Sequence, residues 1–509
     1  KDSCANLELM SRMGIIGRFG FYESIDYTPG RVPQGHNYSV VRSFMAHHSG
    51  MNLLAINNVL LDDRMQKRFL SDPEVRTSIL LLQERVPVMR ATLRQENRLL
   101  PAYERIARPE VREPVIQVYT NVHKPVPDVH LLSNGRYHVM LTSTGSGFSR
   151  WNNISLTRWR EDITRDHMGF FFYLKDVKDN YTFSATHHPL CQKPDRYEAI
   201  FSQGRAEFRT RSRKLDVYTR ISVSPEDDIE LRRIVITNLS DRKRVVELTS
   251  FSEVSLAEPR AELSHPVFNA LFIHTEALPE KSALLCTKRQ SSPEESPIWF
   301  FHTLLVRGET NIPAKVSYET DRFRFIGRCR SAANPQALQS PGQLSGTADT
   351  AIDPCIAIRH RIHLGPGEAV TVDAITGVGK NRDEAFRLID KYNNQGLADR
   401  VFEVAWTQSQ VLLHQLHATE ADAQLFGRLA GSIIYANTRY RAGASLLSRN
   451  KKSQSDLWRY GISGDLPIVL VRVTDTSGVE LVQNVLQAHA YWRFKGLKTD
   501  LFIWSDAFA

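Results

Sequence analysis

The chain has 509 residues, too many for one ordinary hydrophobic core, so we expect two to four domains. Hydrophobic residues make up 42% and charged residues 24%, proportions that exclude a fibrous or largely disordered protein. The formal net charge is +9, but lysine and arginine are spread along the chain and accompany no nucleic-acid-binding motif. We therefore predict no nucleic-acid partner.

The ends of the sequence and its cysteines limit the class of protein further. No run approaches the roughly 18 apolar residues that cross a bilayer. The chain begins at Lys1 without a signal peptide, and we expect it to be a section of a longer polypeptide. Its five cysteines lack CxxC spacing, which predicts neither a disulfide framework nor a zinc site, so no metal is expected.

The first hundred residues are helical in pattern. Residues 39–61, SVVRSFMAHHSGMNLLAINNVLL, keep apolar side chains at spacings of three and four. Residues 71–87, SDPEVRTSILLLQERVP, do the same after a Ser-Asp-Pro start. From Pro101 to Pro127 prolines interrupt the helical period, which predicts a linker.

From about Val129 the apolar period changes to two. β-Branched and aromatic residues alternate with polar ones in segments such as RAEFRTRSRKLDVYTRISVSP and AVTVDAITGVG. Many short strands in succession predict a large antiparallel β-sandwich. The helical period returns at GKNRDEAFRLIDKYN and is expected to continue to the end, with LPIVLVRV at 466–473 as a core helix.

Three segments stand out from this background, and the first is GRFGFYESIDYT at 17–28. It sets two acids, Glu23 and Asp26, among glycines and aromatic residues. It is either a packing element or part of a functional site. His47 and His48 follow on the next predicted helix, where packing and substrate contact are equal alternatives.

The second segment, residues 145–176, crowds charged and aromatic residues onto an expected loop between strands. An aromatic ring stacks on the apolar face of a pyranose, and Arg/Asp forks bind its hydroxyls. A salt-bridged hairpin anchored by tryptophans is an equal alternative. The residues concerned are Trp151, Arg158, Trp159, Arg160, Glu161, Asp162, Arg165 and Asp166.

The third segment is SDLWRYGISGDLPIVLVRV at 455–473. Trp458, Arg459 and Asp465 surround a glycine-rich turn, and Asp465 precedes the apolar stretch predicted as a helix. Asp465 is therefore either a ligand-binding acid or only a helix cap. The turn lacks G-x-x-x-x-G-K-[ST] and a strand–GxGxxG–helix context, so nucleotide binding of those kinds is not supported.

Read in order, the motifs resemble those of one family. GFYESIDYT, MAHHSGMNLLAINNVLL, LLLQERVP, LTRWREDITRD and LWRYGISGDLPI form a series that is similar to bacterial cyclic β-1,2-glucan synthases. In that family a membrane-embedded glycosyltransferase precedes a glucoamylase-like (α/α)₆ cyclisation domain. A phosphorylase-like region of glycoside hydrolase family 94 type follows, built from a β-sandwich and a second (α/α)₆ barrel.

The resemblance implies a multidomain α+β fold. Residues 1–80 correspond to the last helices of the partial cyclisation barrel, 81–128 to a linker and 129–380 to the phosphorylase sandwich. Residues 381–419 correspond to linker helices. Residues 420–509 correspond to the first helices of the second barrel.

The resemblance also implies roles for individual residues. Glu23 corresponds to a carboxylate nucleophile of the cyclising transglycosylase, with its acid/base partner outside this chain. Tyr22, Asp26 and Tyr27 would position the glucan. In the phosphorylase region, inorganic phosphate would be the co-substrate, with no other cofactor. The donor-glucose contacts implied there are Trp458, Arg459 and Asp465, with Arg158, Arg160 and Asp162 as weaker candidates.

The implied partners are β-1,2-glucan, glucose oligosaccharides and the remainder of the same polypeptide, with a homodimer as a further candidate assembly. The implied location is the cytoplasmic face of the bacterial inner membrane, reached through spans outside this chain. The isolated chain is expected to be inactive. Two alternatives stay open: a stand-alone β-1,2-oligoglucan phosphorylase, which would not carry GFYESIDYT upstream of its sandwich, and a non-catalytic carbohydrate-binding or scaffolding module.

Overall fold

The computed structural model describes residues 2–28, 32–33, 35–71, 116–290, 297–307, 316–339, 341–349, 351–474 and 478–505. The predicted helix at 72–87 and most of the predicted linker lie outside these ranges. The described residues fall into two compact units. One comprises those within Lys1–Pro101 and Ser448–Asp465, and the other those within Ala102–Leu447 and Leu466–Ala509.

Strands dominate the middle of the chain. Their bounds are β1 Ile16–Gly17, β2 Gly20–Phe21, β3 Ser24–Asp26, β4 Ser39–Val41, β5 Gln117–Tyr119, β6 Val129–Ser133, β7 Tyr137–Thr142, β8 Gly147–Trp151, β9 Ile154–Thr157, β10 Phe171–Asp176, β11 Tyr181–Ser184, β12 Arg196–Ser202, β13 Arg205–Ser212, β14 Leu215–Val223, β15 Ile229–Asn238, β16 Arg244–Ala257, β17 Ile273–Leu278, β18 Ala283–Lys288, β19 Trp299–Arg307, β20 Ser317–Asp321, β21 Pro354–Leu364, β22 Ala369–Gly379, β23 Ile468–Val473 and β24 Asp500–Ser505.

Helices flank the strands. Their bounds are α1 Asp2–Arg12, α2 Ala46–Leu60, α3 Arg64–Phe69, α4 Pro259–Ser264, α5 Pro266–Ala270, α6 Arg322–Ile326, α7 Arg382–Asn393, α8 Gln395–Gln415, α9 Glu420–Ile434, α10 Ala444–Leu447, α11 Ser455–Trp458 and α12 Val479–Phe494. Short 3₁₀ turns occupy Pro279–Lys281, Gln336–Leu338 and Thr438–Tyr440. Side-chain caps begin α7, α8 and α9, from Asn381, Asn394 and Thr419 respectively.

The predicted antiparallel sandwich is confirmed as two nine-stranded sheets. The first sheet runs in the order β11-β10-β16-β9-β8-β7-β6, with β21 also pairing β16 and β20 pairing β21. The second runs β17-β18-β19-β22-β15-β14-β13-β12-β5. Because β5 pairs with β12, the second sheet includes residues that the sequence assigned to the linker.

The alternating sequence pattern explains the core between the sheets. In β14, Leu215, Val217 and Ile221 are buried, while Asp216 and Arg220 are partly exposed on the opposite face. Side chains of this kind from both sheets form one hydrophobic cluster. Helices cover other faces: α7 and α8 pack on the second sheet, and α8, α9 and α12 pack on β6 and β7.

The prediction of a helix at 466–473 is wrong. Residues Ile468–Val473 form β23, which pairs in parallel with β24, and α12 connects the two strands. β-Branched Ile and Val residues favour an extended backbone, and a short apolar run cannot be assigned by periodicity alone. The expected continuous helical region therefore contains a strand–helix–strand unit, and Asp465 does not cap a helix.

The helical pattern predicted for residues 1–100 does not hold at 16–41, which contain the short hairpins β1–β2 and β3–β4. Gly20 has a φ of 111°, which favours glycine over other residues. A side chain at Gly17 would meet the ring of Tyr22 at 2.5 Å. Turn geometry and aromatic packing thus override the apolar spacing. Among the described residues, no helix is long and apolar enough to span a bilayer.

Candidate functional site

The unit that contains the N-terminus holds Glu23 in a compact aromatic setting. Glu23 lies between β2 and β3, and its backbone N–H donates to the carbonyl of Ser43 at 3.0 Å. The ring of Tyr22 packs against Phe44, with centroids 5.0 Å apart. The Glu23 side chain is only 12% exposed, so its orientation is restricted.

His48, on α2, donates from its imidazole Nδ1 to Oε1 of Glu23. The ring of His47 packs on that of His48 at a centroid distance of 4.0 Å. The structure thus joins two residues that the sequence analysis left unconnected. The available signal was the acid in GFYESIDYT followed by paired histidines at the start of a helix. Sequence spacing alone does not reveal a contact across 25 positions.

The other acid of this segment has a local role. Oδ1 of Asp26 accepts a hydrogen bond from the backbone N–H of Thr28 at 2.8 Å, which fixes the turn after β3. Tyr27 is exposed, and its ring lies 6.0 Å from that of Tyr38. These contacts give Asp26 and Tyr27 local structural roles. Their roles in glucan binding stay predictions.

Arg158, in the unit that contains the sandwich, is held by carboxylates. Its guanidinium contacts Glu253 at 2.9 Å, Glu262 at 2.8 Å and Asp353 at 2.9 Å. Burial alone would lower the pKa of this guanidinium, but the three carboxylates outweigh burial and raise it. Ion pairs to other parts of the sandwich unit thus hold Arg158, and sequence reasoning missed all three acids because they lie on distant elements.

The loop between β9 and β10 is fixed at both ends and exposed between them. Trp159 packs edge-on against Phe148, and Asp166 accepts hydrogen bonds from the hydroxyls of Tyr435, Thr142 and Thr144 at 2.7–3.0 Å. Arg160 is exposed.

Asp162, in the middle of this loop, accepts from Oγ1 of Thr164 and from two backbone N–H groups, and these bonds lower its pKa. Trp151 lies in β8, not in the loop, and donates to Asp228 at 2.7 Å. The part of the segment available to a ligand is therefore its centre.

The predicted glycine-rich turn is present at 460–465, just after α11. Gly461 and Gly464 both have a φ of 73°, which glycine adopts without strain. Nε1 of Trp458 donates to the carbonyl of Ser463 at 3.3 Å, and Nε2 of Gln454 donates to Oδ1 of Asp465 at 3.2 Å. The guanidinium of Arg459 lies 4.8 Å from the ring centre of Tyr460.

This turn places Trp458, Arg459 and Asp465 within one short segment whose shape is set by its glycines. Trp458 is 49% exposed and forms a surface platform. Among the described residues, no group of three or more His, Cys, Asp or Glu side chains is arranged to hold a metal ion.

Comparison with known proteins defines the class. Residues 112–395 match the glycosyl hydrolase 94 supersandwich domain, which covers more than half of the chain. The chain belongs to this family, and the two nine-stranded sheets are the corresponding sandwich.

One relative matches nearly the whole chain, not only the sandwich. The chain is 33% identical over 507 residues, 99% of its length, to cyclic beta-(1,2)-glucan synthase NdvB of Rhizobium meliloti (strain 1021). The resemblance inferred from the motifs is thereby confirmed. The chain spans 18% of the length of that relative.

Two phosphorylases match a smaller part of this chain. N,N'-diacetylchitobiose phosphorylase of Vibrio proteolyticus is 23% identical over 56% of this chain and 35% of its own. The 3-O-beta-D-glucopyranosyl-beta-D-glucuronide phosphorylase of Paenibacillus borealis is 28% identical over 52% and 32%. A bacterial glucoamylase in complex with acarbose aligns with a TM-score of 0.36 at 10% identity, over 63% of this chain and 44% of its own, a score too low to define a shared fold.

Proposed function

We propose that this chain is a section of a cyclic β-1,2-glucan synthase. It would contribute to cyclisation of β-1,2-glucan by transglycosylation and to control of chain length by phosphorolysis. The observation that carries the proposal is the extent of the matches. The synthase aligns with 99% of the chain, whereas the phosphorylases align with 52–56%. This difference favours a synthase over the alternative of a stand-alone β-1,2-oligoglucan phosphorylase.

In the cyclisation reaction, Glu23 acts as the nucleophile. Its carboxylate attacks the anomeric carbon of a glucose unit within the chain and forms a glycosyl ester while the bond to the leaving sugar breaks. The leaving oxygen takes a proton from an acid that lies outside this chain. The 2-hydroxyl at the non-reducing end of the same glucan then displaces Glu23 and loses its proton to the group that gave one to the leaving oxygen, which closes the ring and restores both the carboxylate and the acid.

His48 positions the nucleophile in this scheme. A hydrogen bond from Nδ1 to Oε1 fixes the rotation of the carboxyl group, which leaves Oε2 for the anomeric carbon. Tyr22 supports the same segment through its packing on Phe44. His48 is therefore a positioning residue, and Glu23 is the catalytic one.

The phosphorylase region would use inorganic phosphate as co-substrate and no other cofactor. A phosphate oxygen attacks the anomeric carbon, and a single carboxylic acid protonates the departing oxygen. Trp458, Arg459 and Asp465 bind the donor glucose, the ring of Trp458 against its apolar face and the charged groups at its hydroxyls. Arg160 and Asp162, in the exposed centre of their loop, are weaker candidates, and Arg158 is weaker still because carboxylates already hold it.

The domain plan belongs to the proposal as well. Residues 1–80 would complete a glucoamylase-like (α/α)₆ barrel, and 420–509 would begin a second barrel after the sandwich. Exposed apolar side chains on α2, such as Leu53, Val59 and Leu60, support packing against further helices of the same polypeptide. A membrane location would come from other parts of that polypeptide.

The proposal is tested with the full-length protein and purified linear β-1,2-glucan. Without phosphate, the expected product is cyclic glucan of the same linkage. With phosphate, glucose 1-phosphate is expected in addition. Release of glucose 1-phosphate without any ring formation would favour the phosphorylase alternative, and glucan binding without turnover would favour a non-catalytic module.

A further inference from the structure

A cleft between the second sheet and α8 is lined by none of the residues assigned to the candidate functional site. Its volume is about 610 Å³, within the range of small-ligand sites. It is lined by Gln203, Arg205, Arg220, Arg233, Asp399, Phe402, Glu403, Trp406 and Thr407. We propose that this cleft is a second carbohydrate site, which binds a neutral oligosaccharide of β-linked glucose through residues other than those assigned to catalysis.

The floor of the cleft contains an arginine, Arg220, whose Nε–H has no hydrogen-bond acceptor among the described residues. Arg220 of β14 lies between Glu207 of β13 and Arg233 of β15 in the sheet register, and Glu207 is already paired with Arg205 at 2.7 Å. Arg233 is neutralised by Asp373 at 2.6 Å and by Asp399. Arg220 instead lies over the ring of Phe402, and among the described residues no acceptor reaches its buried Nε–H.

The wall of the cleft supplies an aromatic platform. Trp406 on α8 is 57% exposed, and Glu403 lies one helical turn before it on the same face. An exposed indole beside a carboxylate and an arginine matches what a pyranose needs: a flat apolar surface for its ring, and an acceptor and a donor for its hydroxyls. A tryptophan this exposed stabilises the fold little.

The charges of the cleft select a neutral ligand. Asp399 and Glu403 accompany the three arginines, and Arg233 is already paired. The exposed carboxylate of Glu403 would repel a polyanion. A sugar hydroxyl, by contrast, can accept a hydrogen bond from Arg220 and donate one to Glu403. The cleft thus suits a sugar better than a phosphate.

The cleft is also pre-formed. Gly204, with a φ of 74°, sits in the turn between β12 and β13, and a side chain there would meet the carbonyl oxygen of Ala405 at 2.7 Å. This contact draws the turn, with its buried Gln203, against α8. Ligand binding therefore requires little ordering of the chain.

The test measures calorimetric affinities of the 509-residue chain for linear β-1,2-, β-1,3- and β-1,4-gluco-oligosaccharides. Trp406→Ala should weaken binding of at least one of them by about tenfold or more, and Trp406→Tyr should retain most of it. Trp504→Ala is the matched control, because Trp504 is 59% exposed and lies on β24. Its affinity should stay within about twofold of the parent.

Equal affinities of Trp406→Ala and the parent for every sugar would overturn the proposal, as would the absence of any sugar binding. Inorganic phosphate should not compete, and competition by phosphate that Arg220→Gln abolishes would also overturn it. The linkage expected, β-1,2, rests on the proposed function. If the chain binds only β-1,3- or β-1,4-linked oligosaccharides, the proposed sugar site stands but the proposed function is weakened. The Glu23 variants test that function separately.

Discussion

The imidazole of His48 donates a hydrogen bond to the carboxylate of Glu23, and this contact joins the start of α2 to the segment between β2 and β3. A hydrogen bond to a charged group contributes about 1.5–3 kcal/mol to the stability of a folded protein. If Glu23 is the nucleophile, the contact has a kinetic consequence that a purely structural pair would not have.

We predict that His48→Ala in the full-length protein lowers kcat for cyclisation by about 10- to 100-fold with little change in KM, since the nucleophile loses its orientation. His48→Asn should recover part of the rate, because its amide nitrogen can replace Nδ1 as donor. His47→Ala is the matched control and should retain most of the activity. Equal losses in both alanine variants would instead indicate a packing role for the histidine pair.

The turn at 460–465 gives a second prediction. Asp465→Asn should lower kcat/KM for phosphorolysis by about 30- to 150-fold, or about 2–3 kcal/mol, because a charge-assisted hydrogen bond to the donor sugar is lost. Its effect on stability should stay within about 0.5 kcal/mol, since Asp465 precedes a strand and caps no helix. If the variant keeps the wild-type kcat/KM for phosphorolysis, Asp465 does not bind the donor sugar.

The Arg158 cluster predicts a loss of stability. Arg158→Met leaves Glu253, Glu262 and Asp353 without their shared cation and should reduce the free energy of unfolding by about 3–5 kcal/mol. Arg160→Met, two positions away and exposed, should change it by less than about 0.5 kcal/mol. Urea unfolding of both variants measures this difference. Similar stabilities would show that Arg158 is not structural, and would strengthen its assignment to the glucan.

Much of the fold follows from the sequence, because period-two alternation places one face of each strand in a core. Strand β14 is an example. The failures at 39–41 and 468–473 share a cause: the apolar spacing fits a helix there, but strand pairing and β-branched residues decide the backbone.

The sequence predicts which residues belong to the candidate site, but not which of them are in contact. Glu23, Trp458 and Asp465 stand in distinctive local motifs, so the sequence identifies them. The contact between Glu23 and His48, the acids around Arg158 and the cleft beside Trp406 depend on which distant elements meet. Such long-range pairs leave no local periodicity in a single sequence.

Buried histidines in the sandwich predict sensitivity to mild acid. Burial lowers the pKa of several of them, to about 3 for His130 and His302 and to about 4 for His138, His187 and His360. Since the unfolded value is about 6.5, the unfolded chain binds more protons below that pH, and stability falls as the pH drops. Each histidine contributes at most about 1.4 kcal/mol per pH unit.

The decisive window is pH 6.5 to 5, above the range in which unfolded carboxylates titrate. We expect the Tm of the 509-residue chain to fall steadily across it. His302→Gln, which keeps a group able to hydrogen-bond Ser250, should make the fall shallower. A Tm that is constant from pH 7 to 5 would show that these histidines are protonated in the folded state.

The central claim is that Glu23 is the nucleophile that closes the glucan ring. The most direct measurement is product analysis of the full-length Glu23→Gln variant, which replaces the carboxylate by an amide of the same shape. Elongation from a nucleotide-sugar donor should continue, and linear β-1,2-glucan should accumulate in place of rings. Cyclic glucan formed at the normal rate would contradict the claim and make Glu23 a structural acid of its segment.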